Sequence, residues 1–429
     1  MDDKTAFLKS WCQLNSRKGK ETKQMPEWLE IPPTNRRRIP SQHSESESPI
    51  QCAHSPFRIR AKRSTDERCF TSMGDLVQLD VGRNVNGWKV QKKLGEGAFG
   101  AVYRVTNAAM EEYALKVEGT KEQIQLLKME VVVLSEVDSG ASRHFLKLAD
   151  KGRFENFNYI VIQLVGKSLA DLRMERPQKR LSMGTALSVG IQCLEALEDL
   201  HNIGFLHRDV KPGNYTIGRK ENNELRKIYI LDFGMARRFC HADGTIKKPR
   251  TAAGFRGTVK YAPLSCHMLR ELCRKDDVET WLYMVVELTK GSLPWRNIPE
   301  QNDVGLFKKD CRKDRGLRML FGGCPREYVD ILRIIDGHKF FDTPDYSKIY
   351  GLMRNAIVTC HCEEFPYDWE KPTPPNQKPS AEQVSKNKVP VPSAEKVEKT
   401  IEQPKTGYKK SAEQLKKKAK SPDETQEQK

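Results

Sequence analysis

The residues Gly204–Asn214 combine side chains that suit the transfer of a phosphoryl group. Asp209 can accept the proton of an attacking hydroxyl, and Asn214, five residues later, can hold a magnesium ion beside it. Lys211 is spaced to lie against the transferred phosphate. A polar turn after a helix is the alternative interpretation, and it loses ground if partner motifs follow in the required order.

A glycine-rich run, Gly95–Gly100, lies between two strands predicted over 88–94 and 101–105. Glycine lets backbone N–H groups approach phosphate oxygens, because no side chain stands in the way. A plain glycine turn is an alternative. A dinucleotide-binding loop would be followed by a helix, whereas this run is followed by a strand. We therefore expect a hairpin that closes over phosphates.

One cation, Lys116, lies inside the apolar strand predicted over 113–117. A buried lysine is costly unless it is paired, although a lysine at an exposed strand edge is the simpler alternative. The segment 123–134 has a helical period, and Glu130 lies beside its apolar face. We expect a Lys116–Glu130 ion pair that directs the amine at the α- and β-phosphates, against the alternative of a solvated helix glutamate.

A second carboxylate is predicted at the end of a buried strand. The amphipathic helix over 182–201 leads to the Asp209 loop, and the strand over 227–231 leads to Asp232-Phe-Gly. An aspartate at a strand end followed by glycine suits a metal ligand on a turn, with an ordinary turn aspartate as the alternative. We expect Asn214 and Asp232 to hold two magnesium ions at the β- and γ-phosphates.

A hinge is predicted where the strand over 157–164 ends. Backbone groups of 163–166 could pair there with the edge of an adenine, and Ile162 would lie behind the base. Its alternative role is ordinary strand core, and both roles can hold together. Near the apolar helix predicted over 278–288, Asp277 is placed to brace the backbone of the Asp209 loop.

The composition limits the class of protein. The 429 residues carry a net charge of +17, and the mean hydropathy is −0.67. A basic fold attracts nucleic acid, acidic lipid or acidic protein, and charge alone does not choose among them. No interleaved aromatic motif predicts specific nucleic-acid binding. Eleven cysteines without paired spacing indicate reduced thiols of an intracellular protein. Cys360-His-Cys362 has no second ligand pair, so a metal site there is disfavoured.

Both ends of the chain are polar and irregular. We expect disorder over 1–85, which includes the Arg36–Arg38 run, and over the Lys- and Pro-rich 370–429. A solvated charge run is the better interpretation of the arginines, with nuclear import as the alternative. No signal peptide and no apolar run of ~20 residues is found, so we expect no membrane partner. The expected protein is a cytoplasmic monomer, with a nuclear location left open.

Taken in order, these motifs resemble a protein kinase of the casein kinase I superfamily, most closely the tau-tubulin kinases. The resemblance covers about 86–369 and implies an α+β, two-lobed fold, with a β-rich N-lobe over about 86–163 and a helical C-lobe over about 166–369. It implies ATP and Mg²⁺ as cofactors and serine or threonine hydroxyls of protein substrates as acceptors. Its most specific segments are Ala114–Glu118 with Leu127–Glu130, Gly204–Asp209, Gly254–Tyr261, Gly291–Trp295 and Pro366–Trp369.

The resemblance also assigns the site residue by residue. Thr216 departs from the small or aliphatic residue usual under the base, which is expected to weaken nucleotide affinity. Lys211-Pro212 agrees with serine/threonine rather than tyrosine specificity. The expected catalytic residues are Lys116, Glu130, Asp209, Lys211 and Asn214, with Asn214 and Asp232 as metal ligands. The expected ATP-binding residues are Leu94, Gly95, Gly97, Ala98, Gly100, Val102, Ala114, Lys116, Ile162, Gln163 and Val165.

The segment 235–260 corresponds to an activation segment, with the hydroxyl of Thr258 expected against Asp209. Leu264 stands where most kinases end Ala-Pro-Glu, which removes the usual salt bridge to a later arginine. The superfamily often prefers acidic or already phosphorylated sites, and Arg256 with Lys260 is the candidate anion pocket, against the alternative of general surface charge.

Two other functions remain as rivals. A pseudokinase scaffold would use the fold only to bind partners, but such proteins usually lose the strand lysine or one of the two aspartates, and all three are present here. A nucleic-acid-binding protein is suggested only by the basic charge. The sequence leaves open the physiological substrate and any need for phosphorylation of the activation segment.

Overall fold

The computed structural model describes residues 77–97, 100–122, 125–137 and 142–370. These residues belong to one compact unit, and a second unit, over 373–429, lies outside the described ranges. The predicted disorder of 1–76 and 371–429 therefore stays a prediction. None of the helices in the described part is long and apolar enough to cross a bilayer.

A six-stranded antiparallel sheet forms the N-terminal lobe. Its strands lie in the order β1-β2-β3-β4-β6-β5. Four of them contain the strands predicted from apolar runs, and their alternating buried residues pack into one apolar layer. The bounds are β1 Asn84–Val85, β2 Trp88–Gly97, β3 Gly100–Thr106, β4 Glu112–Gly119, β5 Leu148–Phe154 and β6 Phe157–Gln163.

The ordered chain begins before the expected boundary at residue 86. Val85 is fully buried and pairs with Trp88, and Leu79 is 7% exposed. The backbone N–H of Leu79 donates to the hydroxyl of Tyr103 at 3.1 Å. The polar composition of this stretch hid these two anchors, so the part of the predicted disordered region from residue 77 onwards was wrong.

Nine described helices follow, mostly in the C-terminal lobe, together with two short two-stranded ladders. Strand β7 (Phe205–Leu206) pairs with β10 (Arg237–Arg238), and β8 (Tyr215–Ile217) pairs with β9 (Ile228–Ile230). The helices are α1 Leu127–Glu136, α2 Leu169–Met174, α3 Met183–Asn202, α4 Leu264–His267, α5 Arg274–Lys290, α6 Gln301–Asp310, α7 Asp314–Phe321, α8 Glu327–Gly337 and α9 Tyr346–Thr359.

Helix α1 starts four residues after the predicted start at 123. The carboxylate Oε1 of Glu118 accepts the backbone N–H groups of Leu126 and Leu127, at 2.6 and 3.3 Å. A carboxylate at the positive end of a helix satisfies N–H groups that have no partner inside the helix. The cap comes from strand β4 rather than from the helix sequence, which is why the period alone misplaced the start.

Helices α3 and α5 cross at the centre of the C-terminal lobe. The face of α3 that the apolar period predicts is at most 3% exposed. The indole N–H of Trp281 on α5 donates to the carbonyl of Gly190 on α3 at 2.8 Å. A Cβ at Gly190 would lie 3.0 Å from Met353 and 3.2 Å from Val285, so glycine permits this close approach. This pair forms the rigid base for the loops that carry the site. None of the described cysteines forms a disulfide.

Candidate active site

A cavity of about 640 Å³ lies between the two lobes. Every predicted catalytic and metal-binding residue lines it, as does every predicted ATP-binding residue except Ala98, which lies outside the described residues. The cavity therefore unites motifs that the chain separates by more than a hundred positions. These are Leu94, Gly95, Gly97, Gly100, Val102, Ala114, Lys116, Glu130, Ile162, Gln163, Val165, Asp209, Lys211, Asn214 and Asp232.

The glycines of the β2–β3 hairpin are needed for two different reasons. At Gly95 an added Cβ would meet no atom within 4 Å, and at Gly97 it would reach only the carbonyl of Gly100, at 4.0 Å. At Gly100 it would overlap the carbonyl oxygen of Val117 on β4. The first two glycines leave open space above the cavity, whereas the third allows β3 to pair closely with β4.

Lys116 joins the two lobes through two carboxylates. Its Nζ lies 2.6 Å from Oε2 of Glu130 and 3.2 Å from Oδ1 of Asp232. Glu130 is 3% exposed, so the predicted ion pair is confirmed and the solvated glutamate is excluded. Burial lowers the pKa of Lys116, but the two carboxylates more than offset this and raise it above its ordinary value. The Lys116 charge in turn lowers the pKa of Asp232 against the opposing effect of burial. The lysine is therefore protonated at neutral pH.

Asp209 is the centre of a group of hydrogen bonds on the opposite wall. Its Oδ2 lies 2.6 Å from Nζ of Lys211, and its Oδ1 accepts the hydroxyl of Thr258 at 2.8 Å. The side-chain amide of Asn214 donates to the backbone carbonyl of Asp209 at 2.9 Å. The predicted contact of Thr258 is thereby confirmed, and the aspartate is held in one orientation by groups on both of its oxygens.

Helix α5 braces the loop that carries Asp209. Asp277 accepts the backbone N–H groups of His207 at 2.7 Å and of Arg208 at 2.9 Å, as predicted. Arg208 has φ +67°, a left-handed conformation that a non-glycine residue adopts at a cost of ~1–3 kcal/mol. Opposite it, Gly257 has φ +89°, and a Cβ there would lie 2.5 Å from the carbonyl of Arg208. Two charge-assisted hydrogen bonds hold the strained turn in place.

The Asp232-Phe233-Gly234 turn divides its side chains between cavity and core. Asp232 also has a left-handed backbone, with φ +64°. Phe233 is 1% exposed and stacks on Phe145 with ring centroids 5.5 Å apart. A Cβ at Gly234 would lie 2.8 Å from Cβ of Leu126, so glycine lets the turn approach helix α1. Because the phenylalanine anchors the turn in the core, the preceding carboxylate is presented to the cavity.

Some residues of the apolar part of the cavity were not predicted. Leu231 could have been predicted to line the cavity, because it directly precedes Asp232. Leu146 could not, because it lies in an irregular segment before β5 with no recognisable pattern. Thr216 also lines the cavity, and its buried hydroxyl has no hydrogen-bond partner among the described residues. Gln163 ends β6, where its backbone N–H donates to the carbonyl of Lys147 at 3.0 Å, and the predicted pairing of this hinge with an adenine stays a prediction.

The two cations of the predicted anion pocket, Arg256 and Lys260, have different surroundings. Lys260 pairs with Glu287, a carboxylate that is 2% exposed, so its charge is already compensated inside the lobe. Arg256 is directed to its neighbour, with Nη1 donating to the carbonyl of Phe255 at 3.2 Å. Neither residue lines the cavity. The spacing gave no sign of the partner of Lys260, because Glu287 lies 27 positions later, near the C-terminal end of helix α5.

Comparisons with known proteins agree with this geometry. A protein kinase domain model matches residues 88–322, more than half of the chain. The chain is 39% identical over 289 residues to the serine/threonine-protein kinase spe-6 of Caenorhabditis elegans, which covers 66% of this chain and 75% of that protein. It is 33% identical over 289 residues to a probable serine/threonine-protein kinase of Dictyostelium discoideum, which covers 67% of this chain and 57% of that protein. The chain therefore belongs to the protein kinase family.

Proposed function

We propose that this chain is a serine/threonine protein kinase that transfers the γ-phosphate of ATP to hydroxyl groups of protein substrates. One observation carries the proposal. Lys116 and Asp232, 3.2 Å apart, line the same cavity as Asp209. A cation for phosphates, a carboxylate for a metal ion and a carboxylate for the acceptor hydroxyl are the parts that this reaction requires.

Asp209 is the residue we assign to the acceptor hydroxyl. A serine or threonine hydroxyl that replaces Thr258 at Oδ1 would be oriented for attack and could pass its proton to the carboxylate. Lys211 pairs with the same carboxylate, and its ammonium group can stabilise the negative charge that develops on the transferred phosphoryl group. The chain's contribution is positioning and electrostatics, with no covalent intermediate on the protein.

The donor set fits a hard divalent cation. Asp232 offers a carboxylate, and the bond from the amide nitrogen of Asn214 to Asp209 leaves the carboxamide oxygen available. Magnesium accepts one or two such oxygens together with substrate phosphates, and when bound it neutralises charge on the phosphates. Among the described residues no group of three or more His, Cys, Asp or Glu side chains could hold a metal ion by itself.

The serine/threonine specificity and the finer grouping rest on the sequence. Both relatives described above are named as serine/threonine kinases, and Lys211-Pro212 agrees with them. The Gly254–Tyr261 and Gly291–Trp295 segments support membership of the casein kinase I superfamily, near the tau-tubulin kinases. A pseudokinase scaffold has no support, because the strand lysine and both aspartates are present and share one cavity.

We also propose a preference for acidic or already phosphorylated substrates, from the same resemblance. Since Lys260 is paired with Glu287, the exposed Arg256 is the remaining cation of the predicted pocket. Peptides with and without a phosphoserine upstream of the acceptor should differ in kcat/KM, and Arg256→Ala should narrow the difference. Equal kcat/KM values for the two peptides with the unmodified chain would refute the proposed preference.

The decisive experiment for the proposed function is Asp209→Asn in the purified full chain, assayed with casein and labelled ATP. We expect kcat to fall by about 10²–10⁴-fold, the range that a positioned acid–base group contributes, while the dissociation constant for ATP changes little. Asp310→Asn is the matched control and should keep full activity, because Asp310 is exposed and its ion pair among the described residues is with the exposed Lys313. Wild-type turnover by Asp209→Asn would refute the assignment.

A further inference from the structure

Glu271 lies in the loop between α4 and α5, inside a group of arginines that we call the arginine cluster: Arg208, Arg237 and Arg250. The glutamate side chain is only 6% exposed. Arg250 donates to both of its carboxylate oxygens, with Nη2 3.1 Å from Oε1 and Nε bonded to Oε2. Arg237 approaches the first oxygen at 3.5 Å.

The arginine cluster gathers three separate parts of the catalytic machinery. Arg208 directly precedes Asp209 and belongs to the braced loop. Arg237 begins β10, shortly after Asp232, and Arg250 lies in the middle of the activation segment. The Nε of Arg208 donates to the carbonyl of Met235 at 2.7 Å, which ties the braced loop to the start of the same segment.

Three guanidinium groups this close together repel one another. The pKa of Arg208 is lowered to about 10, by burial first and then by the charges of Arg237 and Arg250, against the opposing charges of Asp277 and Glu271. Burial raises the pKa of Glu271, but hydrogen bonding and charge from Arg250 and Arg237 outweigh it and lower the pKa overall. The carboxylate is therefore ionised at neutral pH, and it pairs directly with Arg237 and Arg250, while Asp277 also offsets the charge of Arg208.

Protein kinases commonly order their activation segments through new pairs between arginines and a phosphorylated side chain. We propose that Glu271 is a positioning residue that supplies this negative charge from within the chain and so holds the activation segment against the Asp209 loop. The proposal rests on the proposed kinase function. The backbone N–H of Ala253 in the activation segment donates to the carbonyl of Leu269 at 3.1 Å. This bond ties the segment to the α4–α5 loop, which also carries Glu271.

Two threonines of the activation segment, in contrast to the buried Glu271, lie at the surface. Thr245 and Thr251 are exposed, and the hydroxyl of Thr245 donates to Asp243 at 2.6 Å. The carboxylate of Glu271 already occupies the position among the arginines that a phosphate on either threonine would have to take. The unphosphorylated chain is therefore expected to be active.

The first test compares unmodified chain with Glu271→Gln and Glu271→Ala, each treated with phosphatase and checked by mass spectrometry. The unmodified chain should keep its activity after treatment, and both variants should lose about 10- to 100-fold in kcat/KM for casein, as expected for lost charge-assisted bonds. The control Glu364→Gln removes a comparable glutamate–arginine pair, with Arg354, and should leave the activity unchanged. A phosphatase-sensitive wild type or a fully active Glu271→Ala would overturn the proposal.

The second test separates charge from structural support. Sulfate should restore part of the Glu271→Ala activity, compared with chloride at equal ionic strength, because the anion can enter the emptied arginine cluster; it should not activate the unmodified chain. An inactive Glu271→Ala that sulfate does not restore would also overturn the proposal. Amide hydrogen exchange over 237–253 should rise in Glu271→Ala and fall again with sulfate. Hydrogen exchange does not depend on catalytic turnover. An inactive wild type would therefore refute the proposed kinase function, and the exchange measurement would still test whether Glu271 positions the activation segment.

Discussion

Glu279 and Arg312 form a buried ion pair, with Oε1 of the glutamate 2.8 Å from Nη2 of the arginine. The same carboxylate oxygen accepts the backbone N–H of Leu264 at 3.0 Å and the hydroxyl of Tyr283 at 2.6 Å. Leu264 stands where most kinases have the glutamate of Ala-Pro-Glu, and its loss was expected to abolish a salt bridge. At this position the carboxylate comes from helix α5 instead of the activation segment, and it bonds both Arg312 and the backbone of Leu264. Glu279 therefore anchors the end of that segment.

The first prediction is that Glu279→Gln destabilises the fold. Arg312 would keep only Asp336, at 3.1 Å and partly exposed, as an opposite charge. Leaving a buried charge with a poorer partner costs about 2–4 kcal/mol. Urea unfolding should report this loss, and Asp336→Asn, which removes the exposed partner, should cost at most about 1 kcal/mol. Equal losses of unfolding free energy in Glu279→Gln and Asp336→Asn would show that Glu279 is not the main partner of Arg312.

A fully buried lysine lies beside this anchor. Nζ of Lys308 donates to the carbonyls of Val259 at 2.8 Å and Ala262 at 2.6 Å, which flank the end of the activation segment. Its third contact is Nε2 of His267, at 3.2 Å. Burial lowers the pKa of Lys308 to about 7, so below neutral pH it is an ammonium group that only donates; there the ring nitrogen must accept and carries no proton. Burial and the Lys308 charge lower the pKa of His267 to about 4.

The second prediction follows from that pKa. The unfolded chain, with His267 near pKa 6.5, takes up this proton before the folded chain does. The free energy of unfolding should therefore fall as pH drops from about 6.5 to 4, by about 1–2 kcal/mol after allowance for the partly exposed ring. In His267→Gln this part of the pH dependence should vanish, whereas the exposed His241→Gln should retain it. Parallel stability curves for the wild type and His267→Gln would contradict the assignment.

The parts of the site that the sequence predicted share a physical basis. The Lys116–Glu130 ion pair was predictable because a lysine inside an apolar strand is costly unless it is paired. A carboxylate on the face of the next helix is then its natural partner. The brace from Asp277 was predicted in the same way, from its place beside an apolar helix. Such short-range patterns constrain which side chain faces which neighbour.

The parts that escaped prediction depend on contacts between distant positions. Glu279 lies inside a run predicted as a buried apolar helix, and a carboxylate there was the available signal that a cation must approach it. Nothing in the spacing indicates that the cation is Arg312, 33 positions later. The spacing likewise gives no sign that Lys260 pairs with Glu287, 27 positions later.

The third prediction uses two glycines of one hairpin as a matched pair. Gly100→Ala should destabilise the chain by about 1–3 kcal/mol, because its Cβ would overlap the Val117 carbonyl and force β3 from β4. Gly97→Ala should leave the unfolding free energy nearly unchanged, since its Cβ meets only open space, but it should raise KM for ATP. Thermal unfolding with ATP kinetics distinguishes the two. Similar effects on both quantities in the two variants would mean that the glycines do not have separate roles.

The last prediction concerns the one departure from the family pattern in the nucleotide cavity. Thr216 is 5% exposed, and its hydroxyl has no partner among the described residues. An unsatisfied buried hydroxyl costs about 1–3 kcal/mol, and valine has nearly the same shape and suits strand β8. Thr216→Val should therefore raise the free energy of unfolding by about 1 kcal/mol and lower KM for ATP a few-fold. The control Thr120→Val removes a hydroxyl that does donate, to Asn156 at 2.9 Å, and should be neutral or destabilising. A KM for ATP that rises in Thr216→Val would instead make the hydroxyl a nucleotide ligand, because only a bond formed on binding can be lost there.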